Sequence, residues 1–459
     1  MKRTLCILLS IILAVTGLVG LAVPAGAIGY KVGDVIEFGS YPQTEVKDSA
    51  TVMALNAAPG LWQSYRYYIG TDGYDGQMNE SDFMQYRDVT YNGQRYRGVQ
   101  FSKFRPGWTT VPSTAQTSAQ DDNGYLTGIV YWFLYEPLKW RVLDPGTGLV
   151  LCESLIDSQP FHNYHLSSGQ DYYELTAVWG AAYNGYYVNN YQHSDLRKWL
   201  NSDFEDLAFT AAQKDAVKVT KLDNRAYAPE RDRYDSSVTN DRVFVLSYQD
   251  MQNTAYGFQA DPKAEDPARL AKGTDYAKCQ GLDAHAWQNG HSPWLLRTAG
   301  LWTYAICTVT HQGTVIYHEG TTDRTFYGVR PAITLDLTKY ALLNAQLLVI
   351  ESATVGYKAT VTVMAAADNV PVGCFVALYD GETQVAKGDN KAVTYTMTKM
   401  KASKTLTAKV IDLNGNVQSN ADGKLEKQIT ITVKTGFFDK VKAFFLGLFG
   451  LLPKITLNP

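Results

Sequence analysis

The carboxylates of one polar segment are the first residues of this sequence whose types could hold a ligand. Asp72, Asp75 and Asp82 stand within a short stretch rich in Gly, Asn and Glu. Carboxylate oxygens are the ligands that Ca²⁺ prefers, but this spacing does not match an EF-hand loop. The segment therefore predicts either a calcium site or a solvated acidic loop, and calcium is the only cofactor that the sequence suggests.

A group of tyrosines forms a second candidate site. The chain contains 31 Tyr residues, and four of them stand in a Gly- and Asn-rich stretch: Tyr183, Tyr186, Tyr187 and Tyr191. An aromatic ring buries the apolar C–H face of a sugar, and loops carry binding residues more often than core elements do. The stretch predicts a surface that contacts carbohydrate; the alternative is that the rings pack within the loop.

Two arginines, Arg297 and Arg330, lie in apolar, strand-like contexts. A guanidinium group can hold an anionic ligand through two parallel hydrogen bonds. In such a context it can equally pair with a buried carboxylate and organise the core. Both interpretations follow from the sequence.

The sequence lacks the motifs of several common catalytic, metal-binding and phosphate-binding sites. The sequence has no Gly-x-Ser-x-Gly, no His-Glu-x-x-His and no phosphate-binding glycine loop. His162 and His165 are close in sequence but no third ligand completes a metal motif. The sequence does not exclude a hydrolase with paired carboxylates, because its two acidic residues come together only in the folded chain. The formal net charge is −3 and no basic stretch is present, so nucleic-acid binding is not expected.

The first 27 residues have the organisation of a cleaved signal peptide. Lys2 and Arg3 precede an apolar run over residues 5–23, and small residues lead to a cleavage site after Ala27. The alternative is a retained membrane anchor, since the run is nearly long enough to span. We therefore expect a secreted, extracellular protein, with association with the cell surface as a further expectation.

Four cysteines remain after such a cleavage: Cys152, Cys279, Cys307 and Cys374. They are too few to form a disulfide framework in a chain of this length, so folding must depend on an ordinary hydrophobic core. A bridge between Cys279 and Cys307 and a set of free buried thiols both fit the sequence.

The elements that position these residues suggest an α+β domain followed by an all-β domain. Residues 28–342 mix short strands with short helices without a βαβ rhythm, and 47–136 is a polar segment expected to be a large insertion. Residues 343–435 contain alternating β-branched runs at hairpin spacing, which predicts an immunoglobulin-like sandwich. The tail, 436–459, is apolar and amphipathic. It could lie in a membrane interface, bind a partner or pack on the sandwich.

Six short blocks occur in order along the first domain. They are Phe38-Gly-Ser-Tyr-Pro-Gln43, Leu138-Lys-Trp-Arg-Val-Leu143, Leu196-Arg-Lys-Trp-Leu-Asn201, Phe244-Val-Leu-Ser247, Trp294-Leu-Leu-Arg297 and Gly328-Val-Arg-Pro-Ala332. Together they resemble an uncharacterised family of exported domains from Gram-positive gut bacteria. That family has no known activity, so the resemblance implies none.

The last two of these blocks also resemble, more remotely, the end of the C-type-lectin-like fold, which formylglycine-generating (sulfatase-modifying) enzymes share. This resemblance implies a C-type-lectin-like domain with a large insertion. The cysteine pair that binds copper in those enzymes is close in sequence, whereas Cys279 and Cys307 are far apart. The likeness therefore implies a fold and no activity.

The sequence as a whole favours a non-catalytic extracellular binding protein that recognises glycans or surface proteins. Two other functions remain as alternatives. One is an extracellular enzyme on a fold like that of the formylglycine-generating enzymes, and the other is a structural or adhesive surface protein.

Overall fold

Two hydrophobic cores organise the chain. The computed structural model describes residues 29–65, 84–104, 119–162, 185–284, 289–322 and 326–459. Within them, the buried apolar residues of the larger core run from Ile36 to Leu337, and those of the second core run from Leu342 to Leu457. The boundary between the two cores falls between Leu337 and Leu342.

Short strands make up most of the first unit. They are β1 (Val35–Glu45), β2 (Gln63–Ser64), β3 (Met84–Tyr91), β4 (Gln94–Phe101), β5 (Tyr131–Asp144), β6 (Leu149–Cys152), β7 (Asp157–Ser158), β8 (Val217–Lys218), β9 (Thr220–Asn224), β10 (Ser236–Asp241), β11 (Val243–Phe244), β12 (Trp294–Ala299), β13 (Ala305–Val309), β14 (Val315–Thr321), β15 (Gly328–Val329) and β16 (Ala332–Leu335). Among the described residues, one sheet has the order β11-β16-β6-β5-β4-β3-β2, with β1 on β5 and β8 on β16. A second sheet has the order β14-β13-β12-β15-β7, and β9 pairs with β10.

The longest strand, β5, is the centre of the larger sheet. It pairs antiparallel with β1, β4 and β6 along different parts of its length. Trp140 of β5 is fully buried, and its Nε1 donates to the carbonyl oxygen of Phe38 at 2.7 Å. This bond fixes β1 against β5 from within the core.

The described part of segment 47–136, which was predicted as an insertion, contributes strands to the main sheet. Asn92 and Gly93 have φ values of 49° and 78°, and they close the β3–β4 hairpin that an Asn-Gly pair predicts. Strand β4 then pairs with β5. Part of this segment therefore extends the main sheet and does not stand apart from it.

The helices are short, and several begin at a Ser or Thr of the type that caps helices. They are α1 (Ser49–Ala57), α2 (Ala119–Asp122), α3 (Asp195–Trp199), α4 (Glu205–Ala208), α5 (Ala211–Ala216), α6 (Asp275–Cys279), α7 (Leu337–Leu343) and α8 (Phe437–Leu448). Ser194, Thr210 and Thr274 cap α3, α5 and α6 through their side-chain oxygens, and Thr210 forms a capping box with Gln213. No helix in the described ranges is both long enough and apolar enough to cross a membrane.

The second unit is a β-sandwich. Its strands are β17 (Gln346–Val349), β18 (Ser352–Val355), β19 (Thr360–Asp368), β20 (Phe375–Asp380), β21 (Thr383–Lys387), β22 (Ala392–Met397), β23 (Lys404–Ile411), β24 (Ser419–Asn420), β25 (Gly423–Lys424), β26 (Glu426–Val433) and β27 (Lys454–Leu457). One sheet has the order β17-β19-β22 with β27 also on β19, and the other has the order β18-β26-β23-β20-β21. Alternate residues of β19 are buried, as expected of a strand with one face on a core. The described part of the chain is mostly β-sheet with some helices.

A buried arginine holds the irregular segment between β11 and β12 together. Arg269 is fully buried, and its guanidinium group donates to backbone carbonyl oxygens of several turns. Those oxygens belong to Met251, Gln259, Asp261, Pro262, Ala264 and Gly313. Asp266, also buried, lies 3.4 Å from its Nε. Buried carbonyl groups must find donors, and here one side chain supplies them.

We predict that Arg269→Met destabilises the first unit by about 4 kcal/mol, because it leaves several buried carbonyl groups without their donor and the Asp266 carboxylate without its cation. All nine Trp residues precede residue 303, so Trp fluorescence during urea unfolding reports on this unit alone. Arg225→Met is the matched control, since Arg225 is exposed and pairs with Asp223 at the surface. Equal unfolding midpoints for the two variants would contradict this role of Arg269.

Candidate functional site

A cleft of about 240 Å³ in the first unit combines aromatic rings with carboxylates. It lies where β1, β3, β4 and β7 meet the segment from α3 to α4 and helix α6. The residues that line it are Tyr41, Tyr65, Tyr86, Arg97, Asp157, Trp199, Asp203, Asp206, Leu207 and Tyr276. The arrangement can stack a flat apolar face against rings and accept hydrogen bonds at carboxylate oxygens.

One helical segment supplies four of these side chains. Helices α3 and α4 are joined by a π-helical turn, Leu200–Phe204, in which Asn201 leaves the helical region with φ −96° and ψ 15°. The Asn201 amide nitrogen donates to the carbonyl oxygens of Arg197 and Val243, and its oxygen accepts from the backbone N–H groups of Arg242 and Val243. Three of these hydrogen bonds thus fasten the turn to β11 and the residue before it. Such turns are frequent at functional sites, and this one positions Asp203 beside Trp199.

A buried carboxylate, Asp157, forms the innermost polar group of the cleft. Its Oδ2 accepts from the Tyr41 hydroxyl at 2.6 Å. Its Oδ1 accepts from the backbone N–H of Ser158 at 2.7 Å and from the Gln159 side chain at 3.2 Å. Burial, and then the charge of Asp157, raise the pKa of Tyr41 well above its usual value, so Tyr41 stays a donor. Both oxygens of this carboxylate are therefore occupied by the protein.

Hydrogen-bonded tyrosines line the adjoining part of the cleft. The hydroxyl groups of Tyr65 and Tyr276 are 2.9 Å apart, and the Gln280 amide donates to Tyr65 at 2.9 Å. The rings of Tyr65 and Tyr86 pack with their centroids 4.9 Å apart. Tyr86 is only half-buried, so it presents part of its ring to solvent.

Arg97 lies against the Tyr86 ring, with its guanidinium carbon 4.2 Å from the ring centroid. It forms two hydrogen bonds with Asp88, of 2.8 and 2.9 Å, and Arg95 and Tyr135 donate to the same carboxylate. Burial alone would raise the pKa of Asp88, but Arg97 and Arg95 outweigh it and the pKa lies below its usual value. Arg97 is therefore held by Asp88, and the cleft is also lined by three aspartates, of which Asp206 pairs with Lys214.

The tyrosines predicted as a binding surface do not line this cleft. Tyr183 lies outside the described residues. Tyr186 and Tyr187 are half-buried and pack edge-on against His193 and Tyr234, with centroid distances of 4.8 and 5.5 Å. Tyr191 is fully buried beside Phe161, so the expectation of a solvent-facing ring is wrong for this residue. Its ring is part of the hydrophobic core of the first unit.

The two predicted arginines are both buried among protein groups. Arg297 is buried and pairs with Asp250 at 2.8 Å, the carboxylate pairing that was one of its two expected roles. Arg330 is fully buried and donates to the carbonyl oxygens of Cys152 at 2.7 Å and Arg269 at 3.2 Å. Burial lowers the pKa of Arg330 to about 10. Neither guanidinium group lines the cleft.

The metal candidates gain no structural support. Asp72, Asp75, Asp82 and His165 lie outside the described residues, and His162 Nδ1 is 3.1 Å from Asp195. Across the part of the chain that the structure describes, no group of three or more His, Cys, Asp or Glu residues could hold a metal ion. The calcium site stays a prediction.

The four cysteines of the described chain are free and buried, so the sequence's option of a Cys279–Cys307 bridge does not occur. Burial raises the pKa of both of these thiols well above the usual value. Buried protonated thiols are poor nucleophiles.

Sequence reasoning missed the residues of the cleft. Trp199, Asp203 and Asp206 recur at intervals of four and three, a helical spacing that puts one ring and two carboxylates on the same side. That signal was available, although Trp199 by itself is typical of a core residue. Tyr41 and Asp157 gave no local signal, because they are 116 residues apart in the sequence.

Part of the chain matches a known family model. Residues 170–337 match a domain of unknown function (DUF6273). This range contains the helical part of the cleft and Tyr276, while Tyr41, Tyr86, Arg97 and Asp157 precede it. No curated protein matches the chain.

Three solved structures that are similar to this chain are immunoglobulin-like or fibronectin-like β domains. The M1 domain from titin is 12% identical, with a TM-score of 0.16, over 20% of this chain and 92% of that chain. The CbhA fibronectin(III)-like modules of Clostridium thermocellum are 17% identical, with a TM-score of 0.14, over 20% and 97%. Murine CRIg is 13% identical, with a TM-score of 0.13, over 20% and 97%.

We predict that Asp88→Asn destabilises the first unit by about 2 kcal/mol at pH 7, because Arg97 and Arg95 lose their shared carboxylate. The folded pKa of Asp88 is depressed, so its contribution is present above the unfolded pKa of about 4 and is lost as the pH falls through the folded pKa. The difference between wild type and variant should therefore shrink at pH 2–3, as measured by urea unfolding.

Asp206→Asn is the matched control, since Asp206 is an exposed residue of the same cleft that pairs with Lys214. Its effect should be small at both pH values. A difference between Asp88→Asn and wild type that is independent of pH would contradict the ionic role of Asp88.

Proposed function

We propose that this protein is a non-catalytic extracellular binding protein that holds a glycan in the cleft between β3, β4 and the α3–α4 segment. The observation that carries the proposal is the composition of the cleft, in which the rings of Tyr86 and Trp199 lie beside the carboxylates of Asp203 and Asp206. Sugars need both features, since each pyranose has an apolar C–H face and a rim of hydroxyl groups.

The charge of the cleft favours neutral glycans over anionic ones. Asp157 and Asp203 are acidic, Asp206 is paired with Lys214, and Arg97, the basic residue of the lining, is paired with Asp88. A sulfate or carboxylate group would meet like charge there, whereas sugar hydroxyls can donate to the aspartates. The volume of about 240 Å³ lies slightly below the roughly 300 Å³ at which small-molecule pockets usually begin, which suits the end of a glycan chain.

The alternative of an extracellular enzyme is less well supported. Acid–base hydrolysis needs two carboxyl groups that can reach the scissile bond. Two of the three carboxyl groups of the cleft are engaged by the protein, Asp157 by Tyr41, Ser158 and Gln159, and Asp206 by Lys214. The third possibility, a structural or adhesive surface protein, would leave the cleft without a role.

Two further proposals concern fold and location. We propose a C-type-lectin-like fold for residues 28–342, supported by the pairing of Trp294 with Gly328, which joins the two sequence blocks that carry that resemblance. We also propose that the protein is secreted, which rests on the signal-peptide pattern of residues 1–27.

The test is a glycan array, followed by calorimetric titration of the best ligand, with the chain from Ile28 onward, which contains every described residue. We predict saturable binding to neutral glycans that falls about tenfold or more in Tyr86→Ala and in Asp203→Ala, since each removes a direct contact. Trp302→Ala is the control, because Trp302 is an exposed ring outside the cleft.

A variant that loses binding but keeps the wild-type melting temperature has lost a contact with the ligand and has kept its fold. Repeating the titration with a calcium chelator tests the separate prediction for Asp72, Asp75 and Asp82. Three outcomes would contradict the glycan proposal: no binding on the array, binding confined to sulfated or sialylated glycans, or equal losses in Trp302→Ala.

A further inference from the structure

Helix α8 exposes an apolar face that no described residue covers. Its phenylalanines and that of the following turn are 55–84% exposed: Phe437, Phe438, Phe444, Phe445 and Phe449. Leu448 and Leu451 are each 64% exposed. Soluble proteins rarely expose so many large apolar side chains together, and such patches mark surfaces that bind a partner or a membrane.

One side of α8 is more buried and faces the protein, and the opposite side is exposed. Ala443 is buried, and Asp439 and Leu446, four residues before it and three after it, are half-buried. At 100° per residue, the exposed phenylalanines occupy the opposite side of the helix. Lys440 and Lys442 fall at the two margins between these sides, and both are exposed.

The sandwich holds this helix at both ends. Strand β26 ends at Val433, and Lys434 donates from its backbone N–H to the Val355 carbonyl at 2.9 Å. After the helix, β27 pairs in parallel with β19, from Lys454 opposite Thr360 to Leu457 opposite Val363. The two strands belong to different sheets, so α8 crosses from one sheet to the other. A helix fastened in this way presents its apolar face as a fixed surface.

We propose that this face docks on the surface of a lipid bilayer that contains anionic lipids. The helix of 12 residues is about 18 Å long, too short for the roughly 30 Å of hydrocarbon in a bilayer, so it would lie in the interface with its rings inserted. Lysines at both margins of the apolar face would then reach the phosphate groups on either side of the helix.

The positions of the charges favour a bilayer over a second copy of the chain. Two copies that met through this face would bring Lys440 and Lys442 of one against the same lysines of the other. The only acidic residue of the helix, Asp439, lies toward the protein and cannot offset them. Anionic lipid head groups would offset both lysines.

The proposal is tested by flotation of the chain from Ile28 onward with vesicles of phosphatidylcholine alone or mixed with phosphatidylglycerol. We expect binding to the mixed vesicles that weakens with added salt, and about a tenfold or greater loss in Phe438→Ser/Phe445→Ser. Leu61→Ser is the matched control, because Leu61 is an equally exposed apolar residue of the first unit. Lys440→Glu/Lys442→Glu should lose binding to anionic vesicles more than to neutral ones.

Light scattering on the same samples tests whether a second copy of the chain occupies this face instead of a bilayer. A dimer that Phe438→Ser/Phe445→Ser dissociates, together with no vesicle binding by wild type, would replace the bilayer with a second copy. Absence of wild-type binding to either vesicle, or equal binding by wild type and the double variant, would also overturn the proposal. Vesicles carry no glycan, so these results do not depend on the function proposed for the cleft.

Discussion

The need to satisfy buried backbone carbonyl groups is the constraint on which the first unit depends. Its helices and strands are short, so much of its core consists of irregular chain whose polar groups have no regular partners. Buried guanidinium groups fill this need, since each offers five donors in a fixed plane. Arg269 gathers the turns before β12, and Arg330 joins Cys152 at the end of β6 to Arg269. Such a core is specified by a few long polar side chains as much as by apolar packing.

The cleft inherits its shape from this framework. Strand β7, which carries Asp157, begins five residues after the carbonyl that Arg330 holds, and its backbone pairs with β15 next to that arginine. On the other side, Asn201 fastens the π-helical turn to β11. The groups that line the inner cleft are thereby fixed before any ligand arrives. A preformed site of this kind loses little conformational entropy on binding, which is consistent with the binding role that we propose.

The sequence predicted the parts of this structure that local patterns control. Asn92 and Gly93 are typical of a hairpin turn, because residues that tolerate positive φ fit it, and Ser194, Thr210 and Thr274 are typical of helix starts, because their oxygens cap free N–H groups. The alternating runs after residue 343 predicted strands with one buried face. The cleft was not predictable in the same way, because its hydrogen bonds join residues such as Tyr65 and Tyr276, 211 positions apart. Nor does an arginine in an apolar strand reveal whether carbonyl or carboxylate oxygens surround it.

The cleft and the exposed face of α8, to which we assign functions, differ in whether their side chains already have partners within the protein. In the cleft, Tyr41 and Asp157 are hydrogen-bonded to each other, so the protein is stable there whether or not a ligand is bound. On α8, no described residue covers the exposed phenylalanines. Contact with another molecule would bury these rings and would be favoured by the hydrophobic effect. The first surface is therefore suited to reversible recognition and the second to attachment.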